Sequence, residues 1–172
     1  TIKDGKSILK TQVDSFNKVG IMDIYAVRGF AKEKIKESNI KTIDNDQYNK
    51  TKELYSLYLA KDQIVRNTII SYGDIIFKDY ILNELLNDAN DITIIVDADG
   101  TVNENNVDYV QTDIPYSNRI YSKPISFVKM FNKEEEGTIN GEFIGLWKVS
   151  GAGFEKVHSS LEKLSQRSDF NN

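Results

Sequence analysis

The sequence predicts an α/β domain, a mostly parallel sheet flanked by helices, followed by a smaller β-rich C-terminal part. Three observations carry this expectation. Apolar or β-branched runs at 21–27, 40–43, 67–72 and 91–96 alternate with stretches of helical periodicity, the order that builds parallel strands through right-handed crossovers. The runs at 67–72 and 91–96 are rich in apolar and β-favouring residues, Thr68-Ile69-Ile70 and Ile92-Thr93-Ile94-Ile95-Val96, as strands buried on both faces are. Beyond Asp99-Gly100 the runs at 107–111 and 125–130 switch to the alternation of half-exposed strands. The chain therefore reads as one domain over 1–172, with a doubly wound α/β part at 6–97 and a β-rich part with a closing helix at 101–164.

Lys6 to Gly20 has Ile8, Leu9, Val13, Phe16 and Val19 near helical spacing, Ser7 to cap the start and Gly20 for a left-handed C-terminal residue. Ile21 to Val27 reads as a strand turned by Arg28-Gly29-Phe30, residues 31–37 as a short charged helix, and Ile40 to Ile43 as a short strand. Thr51 to Val65 carries Leu54, Tyr55, Tyr58 and Leu59 on one face, widened by Leu57 and Ala60, the pattern of a well buried helix. The strand at 67–72 follows, then a helix from Tyr80 to Leu86 and the strand ending in Val96. Lys133-Glu134-Glu135-Glu136-Gly137 reads as a solvated turn. Phe143 to Val149 reads as a strand in which Gly145 permits a close approach by a backbone or ligand, and Trp147 as core. The last helix spans Gly151 to Leu164, with His158 toward its polar side, and the polar tail from Ser165 is expected to fray.

Composition narrows the function classes. The 172 residues carry a net charge of -4, which argues against a phosphate-tracking nucleic-acid surface. No apolar run is long enough to span a bilayer, so no membrane partner is expected. Cysteine is absent and histidine occurs once. Thiolate and multi-histidine metal sites are thereby excluded, and any hard-cation site must be built from carboxylates. The lack of cysteine fits a reducing, cytoplasmic setting.

Three constellations could carry chemistry. Gly73-Asp74 follows the strand at 67–72, where a buried parallel strand would deliver a carboxylate to a crevice; the same pair also suits a turn and cap. Asp97-Ala98-Asp99 ends the next strand, and alternate positions of an extended segment put both carboxylates on one side, a pair that can hold a divalent cation bridging phosphates; with Gly100 it also suits a turn. The third is Asn45-Asp46-Gln47-Tyr48 followed by Glu53 to Ala60, whose polar members Asn45, Glu53 and Ser56 lie among apolar residues and by periodicity read as capping and core.

In order, the motifs Asp44-Asn45-Asp46-Gln47-Tyr48, Thr51, Glu53-Leu54-Tyr55-Ser56-Leu57-Tyr58-Leu59-Ala60 and Ile69-Ile70-Ser71-Tyr72-Gly73-Asp74 resemble the nucleotidyltransferase (MobA-like NTP transferase) domain associated with phosphoenolpyruvate mutase, and are similar to phosphonate and phosphocholine cytidylyltransferases. Val27-Arg28-Gly29-Phe30 resembles the strand end V-x-G-[YF] of that group, and Gly141-Glu142-Phe143-Ile144-Gly145-Leu146 its later glycine-containing strand. The resemblance covers about residues 4–164 and implies a sugar-nucleotide-transferase-like (Rossmann-like) fold. It implies transfer of a nucleotidyl group, CMP from CTP being favoured, to a phosphonate, phosphocholine or sugar phosphate, with release of pyrophosphate.

Residue by residue, the resemblance implies that Asp74 binds the catalytic Mg2+, with Gly73, Asn45, Glu53 and Ser56 near nucleotide or acceptor. The segment from Tyr109 to Tyr121, including Arg119, would face the acceptor. A mutase-like domain is the implied fused or separate partner. Family members open with a strand and a glycine-rich loop bearing Arg and Lys, and no G-x-G precedes residue 20 here. Neither Lys3 nor Lys6 matches the family lysine, so the expectation is a fragment lacking that loop and the second metal carboxylate. Two other classes stay open: a glycosyltransferase using Asp97-Ala98-Asp99 as its metal-binding D-x-D, and a non-catalytic module that regulates a fused domain.

Overall fold

The computed structural model describes residues 5–98, 108–113, 127–131, 140–168 and 170. Its elements run α1 (Ile8–Lys18), β1 (Tyr25–Arg28), β2 (Lys41–Asp44), α2 (Glu53–Leu59), β3 (Thr68–Ser71), α3 (Asp79–Asn87), β4 (Ile92–Asp97), β5 (Tyr109–Thr112), β6 (Phe127–Phe131), β7 (Gly141–Val149) and α4 (Gly153–Ser165). Short 3-10 turns lie at Lys32–Lys34 and Lys61–Gln63. Among the described residues no helix is long and apolar enough to cross a membrane.

The chain divides into two compact units, one of residues 1–69, 76–93 and 148–172, the other of residues 70–75 and 94–147. In the first, α1 starts where the sequence places it: the Ser7 hydroxyl accepts from the Lys10 N–H, and Gly20 has φ +86°. Its buried Val13 and Phe16 face inward, and the Phe16 ring lies 5.7 Å from Phe77. The Ser15 hydroxyl and Lys18 donate to Asp79 at 3.0 and 2.9 Å, putting an acid on the first turn of α3, where the helix dipole favours it. Ile64 and Val149, Leu82 and Leu85 of α3, and Val157 and Leu161 of α4 are also buried.

β1 and β2 pair in parallel, with Tyr25 opposite Lys41 and Arg28 opposite Asp44, and the connection between them holds a 3-10 turn rather than a helix. The second unit holds the greater part of a five-stranded sheet in the order β3-β7-β5-β6, with β4 also pairing with β7. β5 is antiparallel to both β6 and β7. β4 and β7 are also antiparallel, since Asp91 receives the Ser150 N–H while Asp97 lies against Gly141.

Four local expectations are corrected. Residues 31–37 form only the turn at Lys32–Lys34: Ala31 sits at φ 51° and Ile35 is extended, and the alternating charges offer no apolar face to bury. The helix predicted from Thr51 to Val65 is the seven-residue α2, and none of its residues is fully buried. His158 is not a solvated histidine; its Nε2 lies 3.1 Å from the Ile64 carbonyl and its ring 4.6 Å from Phe154. The tail is held at Phe170, 9% exposed, whose ring meets Tyr55 and Tyr58 at 6.0 and 5.3 Å.

On β7, Trp147 is half-buried while Leu146 and Lys148 on either side are buried. Lys148 Nζ donates to the Asp88 carbonyl at the end of α3, which satisfies a cation that burial would otherwise penalise. The acidic turn at 133–137 lies outside the described residues.

Candidate functional site

The parallel strands β1 and β2 end in a set of linked charges. Arg28 Nε donates to Asp44 at 2.6 Å, and Lys32 Nζ donates to Asp44 at 2.9 Å and to Asp46 at 2.6 Å. The Arg28 guanidinium, then the Lys32 ammonium, hold the Asp44 carboxyl below its ordinary range, and Asp46 and Asp44 hold Lys32 above its own. Individual spacing does not reveal this cluster. The strand register does, because Arg28 and Asp44 are cross-strand partners.

Asn45, the residue after β2, is 3% exposed. Its side-chain amide donates to the Thr51 hydroxyl at 3.0 Å and the Ser56 hydroxyl at 3.2 Å, and its carbonyl oxygen accepts from the Gln47 N–H at 2.9 Å. One asparagine thus closes the 45–51 loop on itself and ties it to α2. Asn45 and Ser56 are brought together, with their polar atoms turned toward each other. Glu53, in the first turn of α2, is exposed.

An open groove in the same unit is lined by Lys10, Lys34, Lys36, Glu37, Ser38 and Asn39. Lys10 pairs with Asp14, whereas Lys34 and Lys36 have no carboxylate partner among the described residues. The sequence offers little to find this groove, since it depends on the turn after β1 coming up beside the start of α1.

In the second unit, β3 leads through Tyr72 into the turn Gly73-Asp74, and both turn residues are exposed. The Asp74 carboxylate has no hydrogen bond or ion pair among the described residues. Asp97 ends β4 and is also exposed, its carbonyl against Gly141. Asp99 and Arg119 lie outside the described residues.

Among the described residues no three carboxylate or histidine side chains gather as a metal cage. A magnesium ion does not require one. It keeps several waters and is held by one or two carboxylates together with substrate phosphates, and an exposed, unpaired aspartate at a strand end fits that demand.

No family model matches the chain. The chain is similar to the choline-phosphate cytidylyltransferase of Streptococcus pneumoniae, 30% identical over 84 residues, 46% of this chain and 37% of that protein. It is also similar to the CTP:phosphoglutamine cytidylyltransferase of Campylobacter jejuni, 27% identical over 103 residues, 54% of this chain and 41% of that protein. The matched part is thus less than half the length of either curated relative. Among solved structures, the inositol-1-phosphate CTP transferase from T. maritima superposes with a TM-score of 0.72 at 17% identity, over 100% of this chain and 66% of that one. The chain therefore has the Rossmann-like α/β fold of the nucleotidyltransferases.

Proposed function

We propose that the chain acts in nucleotidyl transfer, moving CMP from CTP to a small acceptor that bears a phosphate or phosphonate. The observation that carries this reading is the exposed Asp74 carboxylate, unpaired among the described residues, on the turn after β3 of a fold shared with nucleotidyltransferases. The two curated relatives, each named as a cytidylyltransferase, favour cytosine as the base.

In this reading an acceptor oxygen attacks the α-phosphorus in line, one P–O bond forms, the α–β bridging bond breaks, and pyrophosphate leaves with the electron pair. Asp74 would hold Mg2+, which when bound supplies charge neutralisation on the phosphate oxygens. Gly73 leaves room beside the carboxylate for a phosphate to approach. Asn45 and Ser56, bonded to each other, would act by holding the 45–51 loop and its backbone groups in place for the nucleotide. Glu53 is exposed and would lie near the nucleotide or the acceptor, as the resemblance implies. Positioning and electrostatics would supply most of the rate.

The test is pyrophosphate release from CTP and Mg2+ with a panel of phosphocholine, an aminoalkyl phosphonate and sugar 1-phosphates, for the chain and Asp74→Asn. Product with one acceptor, lost in Asp74→Asn, supports the reading; full activity in Asp74→Asn removes Asp74 from the metal site. Turnover of a phosphonate would favour a role beside a phosphoenolpyruvate mutase. UDP-sugars assayed with Asp99→Asn test the glycosyltransferase alternative, and absence of any nucleotide-dependent rise in melting temperature is the outcome that favours a non-catalytic module.

A further inference from the structure

Asp74 can serve as a metal ligand only if the exposed turn that carries it is held still, and the turn itself has few means to do this. The residue before it is anchored at several points. The Tyr72 N–H donates to the Gly145 carbonyl of β7 at 2.8 Å, and the Tyr72 carbonyl accepts from the Ser71 hydroxyl at 3.0 Å. Its ring stands edge-on to Phe143, centroids 6.0 Å apart and planes at 71°. The ring also lies on the bare Cα of Gly145, where an added Cβ would come within 2.2 Å of Tyr72 Cδ2 and 2.4 Å of Cγ.

Gly145 has φ +80° inside a nine-residue strand, a conformation that a residue with a side chain adopts only under strain. A glycine within a strand marks a close approach, and here what approaches is Tyr72. We propose that Gly145 and Tyr72 are positioning residues that lock the chain at the end of β3 and so fix where the Gly73-Asp74 turn presents its carboxylate. The proposal rests on the reading of Asp74 as the metal ligand. Gly141, four residues earlier on β7, makes the corresponding close contact with the other acid-bearing strand end: its added Cβ would lie 2.4 Å from Val96 Cγ1 and 2.7 Å from the Asp97 carbonyl oxygen. It supplies the control.

The experiment compares Tyr72→Leu, Tyr72→Phe, Gly145→Ala and Gly141→Ala in the 172-residue chain with two readouts. The first is 15N relaxation of the Gly73 and Asp74 amides without metal; the second is Mn2+ affinity in the presence of CTP, by water-proton relaxation. Tyr72→Leu and Gly145→Ala should drop the turn's order parameters from the rigid range near 0.85 to below about 0.6 and weaken Mn2+ about tenfold, the effect of losing an outer partner of a metal ligand. Tyr72→Phe, which keeps the ring, and Gly141→Ala should leave the turn rigid. A rigid turn in folded Tyr72→Leu overturns the proposal, as does a Tyr72→Phe or Gly141→Ala turn as loose as that of Tyr72→Leu. If Gly145→Ala does not fold, the two Tyr72 variants decide the matter alone. Mn2+ affinity unchanged in Asp74→Asn would remove the metal role of Asp74, while the amide relaxation would still decide whether Tyr72 and Gly145 hold the turn.

Discussion

Two strands of this chain lead into an acid beside a small or amide residue, and the acids end in opposite circumstances. At the end of β2, Asp44 is held by Arg28 and Lys32, and the Asn45 side chain that follows makes three hydrogen bonds. Beyond β3, the Asp74 carboxylate has no partner among the described residues, although Tyr72 just before it is fixed. A polar group whose bonds are all made within the chain holds a loop; one left open on an anchored turn is available to a ligand. The difference separates the residues that shape a site from the residue that would do its chemistry.

The sharpest way to break this contrast is a pair of substitutions read by both stability and turnover. Asp74→Asn should reduce Mg2+-dependent pyrophosphate release by about 10²–10³-fold, the scale of losing a key electrostatic group. It should move unfolding free energy by less than about 0.5 kcal/mol, as surface changes do. Asn45→Ala should do the reverse in kind: a loss of about 2 kcal/mol in denaturant unfolding, because the buried Asn45 side chain supplies all three bonds to the Gln47 N–H and the half-buried Thr51 and Ser56 hydroxyls. If the two swap behaviours, the division between shaping and reacting residues fails.

Ser56→Ala removes one of the three bonds and should cost about 1 kcal/mol, with the 45–51 loop more open to hydrogen exchange. The smallest effect is in the pH dependence of the β1–β2 end. Asp44 has a folded-state pKa below the ordinary 3.8, so its pairing contributes stability that is present above that value and fades as pH falls through the lower folded-state pKa. Asp44→Asn should therefore flatten the acid limb of the stability curve below about pH 4 and leave its neutral part little changed in slope. An acid limb of unaltered steepness would show that Arg28 and Lys32 do not hold the carboxylate.

Much of the fold is legible in the sequence because its signals are local. The Ser7 cap, the 3.6-residue spacing through Val13 and Phe16, and the largely apolar run at 91–96 specify α1 and β4 without reference to anything distant. The misses share a cause of the other kind. Helical spacing at Thr51 to Val65 says which face of α2 is apolar, but not how many residues it winds or how deeply it sits. A polar tail gives no hint that Phe170 reaches Tyr55 and Tyr58, and a lone histidine none that Ile64 offers it a carbonyl.

The candidate site divides in the same way. Asp74 is legible from its strand and turn, and Asn45 and Ser56 from a resemblance. The Tyr72–Gly145 contact needs a fold, because it joins residues far apart in sequence.

The place of β7 has a consequence for how the chain comes together in time. It is the strand against which β3, β4 and β5 all pair, yet among the strands of the described residues it is the latest in chain order. Until residues 141–149 leave the ribosome, the turn that carries Asp74 has no Gly145 to anchor it and the earlier strands have open edges. The sheet must close late, through contacts of long sequence separation that are slow to form. A nascent chain halted before Gly141 would present those edges to any neighbour able to pair with them.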